Sequence, residues 1–229
     1  GGSCQAHRAE TFHEATGAGR VKTIRVALKG NPYPIYVGEG VAANLPRLLA
    51  KHGLKGKRCV LVTDAFLKSR HARRVEETLR RAGCSVETFA LPRGERAKDF
   101  DSLRRLYDFL LREKCERGTL LVAVGGGAVG DAAGFAAATF YRGIPLVHVP
   151  TTLLAQVDSA IGGKTAVNVP SAKNAVGAFY QPRFVLSDVS FLRTLPRREM
   201  SSGLGEAVKY ALVFDKTFFA FFGKNWAHI

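Results

Sequence analysis

Thr119-Leu120-Leu121-Val122-Ala123-Val124-Gly125-Gly126-Gly127-Ala128-Val129-Gly130-Asp131 is the stretch that decides the fold. Residues 119–124 form an apolar run of the length and type of a strand buried on both faces. The glycines turn it into a helix of small residues, expected over 131–139. Gly125, Gly127 and Gly130 fit G-x-G-x-x-G, in which residues without Cβ let backbone N–H groups approach a pyrophosphate at the positive end of a helix. The same glycines also suit a plain, tight strand-to-helix turn, and spacing leaves both readings open. The acidic residue that standard dinucleotide folds place about 20 positions later is missing. Asp64, at the end of an earlier strand, is the better candidate for a ribose, its plainer role being to cap the next helix.

Working outward, the pattern repeats. Strands are expected at 23–28, 35–37, 59–63, 85–90, 145–149 and 184–186, and helices at 41–52, 70–82 and 99–114, with Gly53 and Gly83 as helix stops. This β-α alternation predicts an α/β fold, a doubly wound and mostly parallel sheet. Residues 156–182 are dense in Gly, Lys, Asn and Asp without a long apolar face, and read as loop laid over a site. Beyond Pro196 the texture becomes helical, over 198–213 and then through Phe218, Phe219, Phe221 and Phe222. The expected organisation is a disordered lead-in at 1–20, an α/β domain at 21–190 and the first helices of an all-α unit at 191–229.

Lys and Arg outnumber Asp and Glu by 34 to 19, a formal charge of +15. Nucleic acid, an anionic membrane or acidic small molecules could all answer such a charge. The basic residues come in short runs (70–74, 80–81, 104–105, 197–198) between apolar positions at helical spacing, with no aromatic-rich RNA-binding motif. They read as solvated helix faces, with no nucleic-acid partner. The four cysteines are far apart and form no CxxC, as in a reduced, cytosolic protein. No apolar run approaches the roughly 18 to 20 residues that span a bilayer. A soluble cytoplasmic protein without a membrane partner is expected.

Several polar residues suggest a ligand. Thr151 and Thr152 follow a strand and Pro150, at the sheet edge where α/β proteins bind ligands, although a helix N-cap would use them equally. Asp158, Lys164, Lys173 and Asn174 put a carboxylate, two cations and an amide in the Gly-rich segment, fit for anion and hydroxyl recognition. Arg142 could clamp a phosphate with its planar fork. Glu206 and Lys209 share a helix face at i,i+3, which from spacing alone is an ordinary ion pair. Glu199 adds a third polar group near the start of that helix.

Taken together, the Gly125–Asp131 run, Tyr141-Arg142-Gly143-Ile144-Pro145, Val149-Pro150-Thr151-Thr152-Leu153-Leu154-Ala155-Gln156-Val157-Asp158-Ser159, Gly162-Gly163-Lys164-Thr165-Ala166-Val167-Asn168 and Lys173-Asn174-Ala175-Val176-Gly177-Ala178-Phe179 resemble the 3-dehydroquinate synthase family of sugar phosphate cyclases. The resemblance implies an N-terminal NAD domain, a C-terminal helical metal domain and a homodimer when full length. It implies NAD contacts from Asp64, Glu95, Lys98, Gly125, Gly126, Gly127, Asp131, Thr151, Thr152, Lys164, Lys173, Phe191, Thr194 and Leu195. It implies contacts to a phosphorylated sugar acid, 3-deoxy-D-arabino-heptulosonate 7-phosphate, from Asp158, Lys164, Lys173, Asn174, Glu199 and Lys209, with Arg142 reaching the phosphate in a neighbouring subunit. Glu206 would be the first ligand of a divalent zinc or cobalt ion. The implied activity is a phosphate-eliminating lyase of the shikimate pathway, by transient oxidation, elimination, reduction and aldol closure.

The family completes its metal site with two histidines from a later helical stretch, and His228 is not in that context. The chain alone is therefore expected to be inactive or nearly so. A metal-dependent polyol dehydrogenase would share the glycine turn but lack the Lys164 and Lys173-Asn174 apparatus. A basic binding module would show salt-sensitive nucleic-acid retention instead.

Overall fold

The computed structural model describes residues 10–16 and 19–226. β1 (Glu10–Thr16), β2 (Gly19–Val26) and β3 (Tyr33–Gly38) form an antiparallel meander. The first of these corrects the expectation of a disordered lead-in: residues 10–16 pair with β2 in register Phe12 to Thr23. Residues 11–15 lack the apolar alternation of a half-buried strand, so the pairing partner supplies what the local sequence does not signal. The remainder of that lead-in, residues 1–9 and 17–18, lies outside the described residues.

After α1 (Leu45–Lys51) come β4 (Arg58–Asp64), α2 (Arg73–Arg81), β5 (Ser85–Leu91), α3 (Phe100–Arg112), β6 (Leu120–Gly125), α4 (Gly127–Thr139) and β7 (Leu146–Pro150). The order across the large sheet is β1-β2-β3-β10-β7-β6-β4-β5, with β10 at Phe184–Asp188 and every pair from β3 to β5 parallel. Alternation explains the layering. Cys59 and Leu61 of β4, with Leu120, Val122 and Val124 of β6, join the core that includes Leu45, Leu49, Val75 and Leu79. Val60, Val62, Leu121 and Ala123 point the other way, into a core with Leu103, Leu106, Ala132 and Ala136. A strand buried on both faces has no polar side to show, which is why these read as unbroken apolar runs. Each such buried Val or Leu contributes about 1.5–3 kcal/mol.

Two differences from the sequence reading matter for the site, and the C-terminal stretch is helical as expected. α4 begins at Gly127, four residues earlier than expected, because glycine in a first turn need not end a helix. The segment read as loop contains an antiparallel hairpin, β8 (Lys164–Val169) and β9 (Ala172–Phe179), as a second small sheet. Its Thr165 and Val167 are buried, and a Cβ on Gly134 of α4 would stand 2.5 Å from Thr165 Cγ2. The small residues of α4 therefore let hairpin and helix approach closely. The C-terminal stretch is two helices, α5 (Arg197–Phe214) and α6 (Lys216–Asn225), with Asp215 capping the second through the amides of Thr217 and Phe218. No helix among the described residues is long and apolar enough to cross a membrane.

Candidate functional site

The direction of winding reverses between β4 and β6, since β5 lies outside β4 while β7 lies on the far side of β6. In open α/β sheets the carboxyl ends of strands at such a reversal are where ligands bind. A cleft of about 440 Å³ opens there, within the usual size of a small-molecule site. Five chain segments line it, each leaving the carboxyl end of a parallel strand or the turn just after it.

The turn after β6 supplies Gly126 and Gly127, with Gly126 extended as the cap of α4. A Cβ on Gly126 would stand 3.1 Å from Thr152 Cγ2, and one on Gly127 would stand 2.9 Å from Ser159 Oγ. Ser159 also lines the cleft, and its hydroxyl is buried with no hydrogen-bond partner. The glycines thus free a cradle at a helix N-terminus beside an orphaned hydroxyl, a local arrangement suited to phosphate oxygens.

From the end of β4, Asp64 turns its carboxylate back so that Oδ1 accepts from the amides of Phe66 (2.8 Å) and Leu67 (2.9 Å). The carboxylate thus closes the turn at 65–67 that leads into the helix, and the residue lines the cleft as well. His71, from the π-helical turn Lys68–Ala72, stacks 4.6 Å from Phe191, and its Nε2 lies 2.8 Å from Thr194 Oγ1. Burial, reinforced by Arg70 and Arg74, lowers its pKa and keeps it neutral.

Lys98 is the central cation. It is 3% exposed, its Nζ lies 2.5 Å from Asp131 Oδ2, and it also donates to Asn174 Oδ1. Burial raises the Asp131 pKa and Lys98 opposes the rise. Asn174 reaches Lys98 from β9 with a φ of 56°, a conformation Asn tolerates, and its amide donates to Asn168 Oδ1 at 2.9 Å. Asn168 in turn donates to Glu95 Oε2 at 2.9 Å, so the hairpin is fastened to the turn Gly94–Lys98.

Thr151 and Thr152 line the cleft, and the Thr152 hydroxyl accepts from the amide of Ala155 at 3.2 Å, so the capping role is real here. Asp158 faces the cleft and accepts from the Tyr210 hydroxyl of α5 at 2.8 Å. Tyr210 has its pKa raised, first by burial and then by Asp158. On α5, Glu206 pairs with Lys209, which lowers the Glu206 pKa.

Of the residues singled out in the sequence, the cleft gathers Asp64, Glu95, Lys98, Gly126, Gly127 and Asp131, together with Thr151, Thr152, Asp158, Phe191, Thr194, Leu195 and Glu199. Asn174 joins through Lys98. Gly125 does not line it; its carbonyl accepts from the Thr151 amide, and a Cβ there would stand 2.7 Å from Val129 Cβ, so its role is close packing. Lys164 and Lys173 are exposed on the hairpin, and Lys164 is close enough to lower the pKa values of both Asp131 and Glu206. Arg142 lies past the other end of α4, a 13-residue helix and so about 20 Å away along its axis. Among the described residues no three His, Cys, Asp or Glu side chains come together to hold a metal. The sequence reading missed Phe66, His71, Ser159 and Tyr210. Only Ser159 carried a local signal, as the end of the Thr151-Thr152 run.

Fold and cleft define an open α/β protein with a phosphate-ready glycine turn at the reversal of its sheet. The family described as 3-dehydroquinate synthase N-terminal matches residues 88–202, and the chain belongs to the 3-dehydroquinate synthase family. It is 45% identical over 207 residues to the 3-dehydroquinate synthase of Desulforamulus reducens, covering 90% of this chain and 57% of that one. With the enzyme of Nitrosomonas europaea it shares 46% over 205 residues, covering 87% and 54%. The chain thus spans little more than half the length of these curated relatives. Among solved structures it resembles 2-deoxy-scyllo-inosose synthase complexed with carbaglucose-6-phosphate, NAD+ and Co2+ (TM-score 0.78, 31% identity, 83% of this chain and 51% of that one). It also resembles 2-epi-5-epi-valiolone synthase from Streptomyces hygroscopicus with NAD+ and Zn2+ bound (TM-score 0.79, 30% identity, 88% and 55%). The fold extends to glycerol dehydrogenase of Schizosaccharomyces pombe at 21% identity and a TM-score of 0.62.

Proposed function

We propose that this chain is the dinucleotide-binding portion of a 3-dehydroquinate synthase, holding NAD in the cleft while 3-deoxy-D-arabino-heptulosonate 7-phosphate loses phosphate and closes to 3-dehydroquinate. The observation that carries the reading is the Gly126–Gly127 cradle, open to the unpartnered Ser159 hydroxyl at the reversal of the sheet. The boundary is placed near Ser190, residues 21–190 forming the nucleotide domain and 191–229 opening a helical one. A cytoplasmic setting and a homodimer of the full-length protein belong to the same reading.

The cleft residues would hold NAD, which would supply reversible hydride transfer at a ring hydroxyl carbon of the substrate. The work of this chain's own residues is binding and orientation. The α4 N-terminus and the Thr151 and Thr152 hydroxyls would hold the pyrophosphate, Asp64 and Glu95 the adenosine side, and Phe191, Thr194 and Leu195 the opposite wall. Lys98, fixed between Asp131 and Asn174, places one positive charge where the cofactor meets the substrate. Asp158, steadied by Tyr210, and Glu199 would accept from sugar hydroxyls. Lys164, Lys173 and Lys209 would meet the substrate's anionic groups, and Arg142 would serve a neighbouring subunit's cleft. For the divalent metal the fit fails within the described residues: Glu206 stands with Lys209 and Tyr210 and no further ligand, where a catalytic zinc wants about three protein ligands.

Calorimetric titration of the chain with NAD tests the reading. Saturable binding that Gly127→Val abolishes is the expected result. Absence of heat from a folded sample would end the assignment.

A further inference from the structure

The hairpin β8–β9 is seated by packing at its base and held by polar contacts towards its tip. At the base Thr165 is buried against α4, while β9 is exposed almost throughout. Towards the tip the ladder shifts register between Val167 and Val169, and Asn174 stands opposite the shift with a φ of 56°. Asn168 occupies that irregularity. Its Oδ1 accepts from the Asn174 amide at 2.9 Å, its Nδ2 donates to Glu95 Oε2 at 2.9 Å, and its backbone bridges to Asp99. The two partners fix the orientation of the side chain, since an N–H needs an acceptor and a carboxylate needs a donor. A side-chain amide offers one of each from a single short stem.

The circuit closes through Lys98. Asn174 Oδ1 accepts from Lys98 Nζ, and Lys98 shares the turn Gly94–Lys98 with Glu95. Both residues of that turn line the cleft. Asn168 engages Glu95 Oε2, and among the described residues Oε1 has no hydrogen-bond partner, so one carboxylate oxygen is fixed and the other is left for a ligand hydroxyl. We propose that Asn168 is a positioning residue: it sets the Glu95 carboxylate and, through Asn174, the Lys98 ammonium, so that a dinucleotide held by Glu95 also orders the hairpin carrying Lys164 and Lys173. For its ligand the proposal rests on the dinucleotide reading above; for the clip it rests on the hydrogen bonds alone.

Hydrogen exchange over residues 172–179 of the 229-residue chain, with and without NAD+, tests it, with β4 peptides showing that the large sheet is intact. Asn168→Asp keeps the acceptor for Asn174 but sets a second carboxylate against Glu95, and β9 of the unliganded variant should exchange about tenfold faster. Glu95→Gln can still accept from Asn168 and should leave that rate unchanged. Combining Asn168→Asp with Glu95→Gln reverses donor and acceptor across the same contact and should restore the rate of the parent. Loss of a merely structural role at position 168 would not be repaired by a change at position 95. NAD+ should slow β9 exchange in the parent by about threefold or more and leave Asn168→Asp unaffected. Unaltered exchange in Asn168→Asp, or a double variant no better than the single, would overturn the positioning role, and NAD+ that binds the parent without slowing β9 would overturn the coupling. Should NAD+ fail to bind while the double variant still repairs the hairpin, the dinucleotide reading falls and the clip stands.

Discussion

Lys98 shows how a single side chain organises the cleft. It is a buried cation whose charge is balanced by Asp131 and shared with Asn174, so removing it leaves a carboxylate in a place that already resists ionisation. Lys98→Met should cost about 3 kcal/mol or more of unfolding free energy in urea, because breaking one side of a buried pair strands the other. An undisturbed midpoint would mean that Asp131 finds water instead. His148 offers a pH test. Burial between β7 and α4 depresses its pKa to about 4, where the unfolded chain keeps the ordinary value near 6.5. Between those values the unfolded state binds the extra proton, so the contribution of this group is complete above about pH 6.5 and is lost as pH falls towards 4, by about 3 kcal/mol in all. His148→Leu should flatten that part of the stability profile; an unaltered slope would assign the acid sensitivity elsewhere. Residues whose roles depend on their neighbours along the chain, such as Gly126, Gly127, Thr151 and Asp64, are legible in the amino-acid order alone. His71, Phe66 and Tyr210 are not, since His71 has meaning only once Phe191 and Thr194, more than a hundred residues away, fold against it.

At the level of elements, the strands of the parallel sheet announce themselves because burial on both faces leaves an unmistakable apolar run. The hairpin β8–β9 hides for the opposite reason: β9 is exposed almost throughout, so its side chains carry no alternation, and its pairing is dictated by α4 and by the fastening of Asn168 to Glu95. The first strand is equally silent. How α5 seats on the sheet domain depends on Gly203, where a Cβ would stand 2.6 Å from Leu153 Cβ and 2.7 Å from the Leu154 amide nitrogen. Backbone cannot yield as a flexible side chain can. Gly203→Ala should therefore push the helix outward, break the Tyr210 to Asp158 hydrogen bond and lower the melting temperature by about 2 °C or more, roughly 1 kcal/mol at this size. A melting curve superimposable on that of the parent would show that the helix rides loosely.

Across the whole molecule, α5 and α6 display an apolar surface with little to cover it: Leu212, Val213, Phe214 and Trp226 are all more than 60% exposed. Apolar patches of this kind drive association. The 229-residue chain should sediment as a concentration-dependent oligomer, and Leu212→Lys with Phe214→Lys should return it to a monomer. A monomer at every concentration for the parent chain would contradict this.

The insertion of β10 between β3 and β7 has a kinetic consequence. Among the described residues the meander is joined to the rest of the sheet only through residues 184–188, whose Asp188 accepts hydrogen bonds from the amides of Gly40 and Ala42, nearly 150 positions back. A ribosome must therefore release almost the whole of the α/β sheet before its two halves can zip together, and loop closure over that span is slow. Nascent chains arrested short of position 184 should remain open to protease between β3 and β4, with the bare edges of β3 and β7 waiting for the same missing strand.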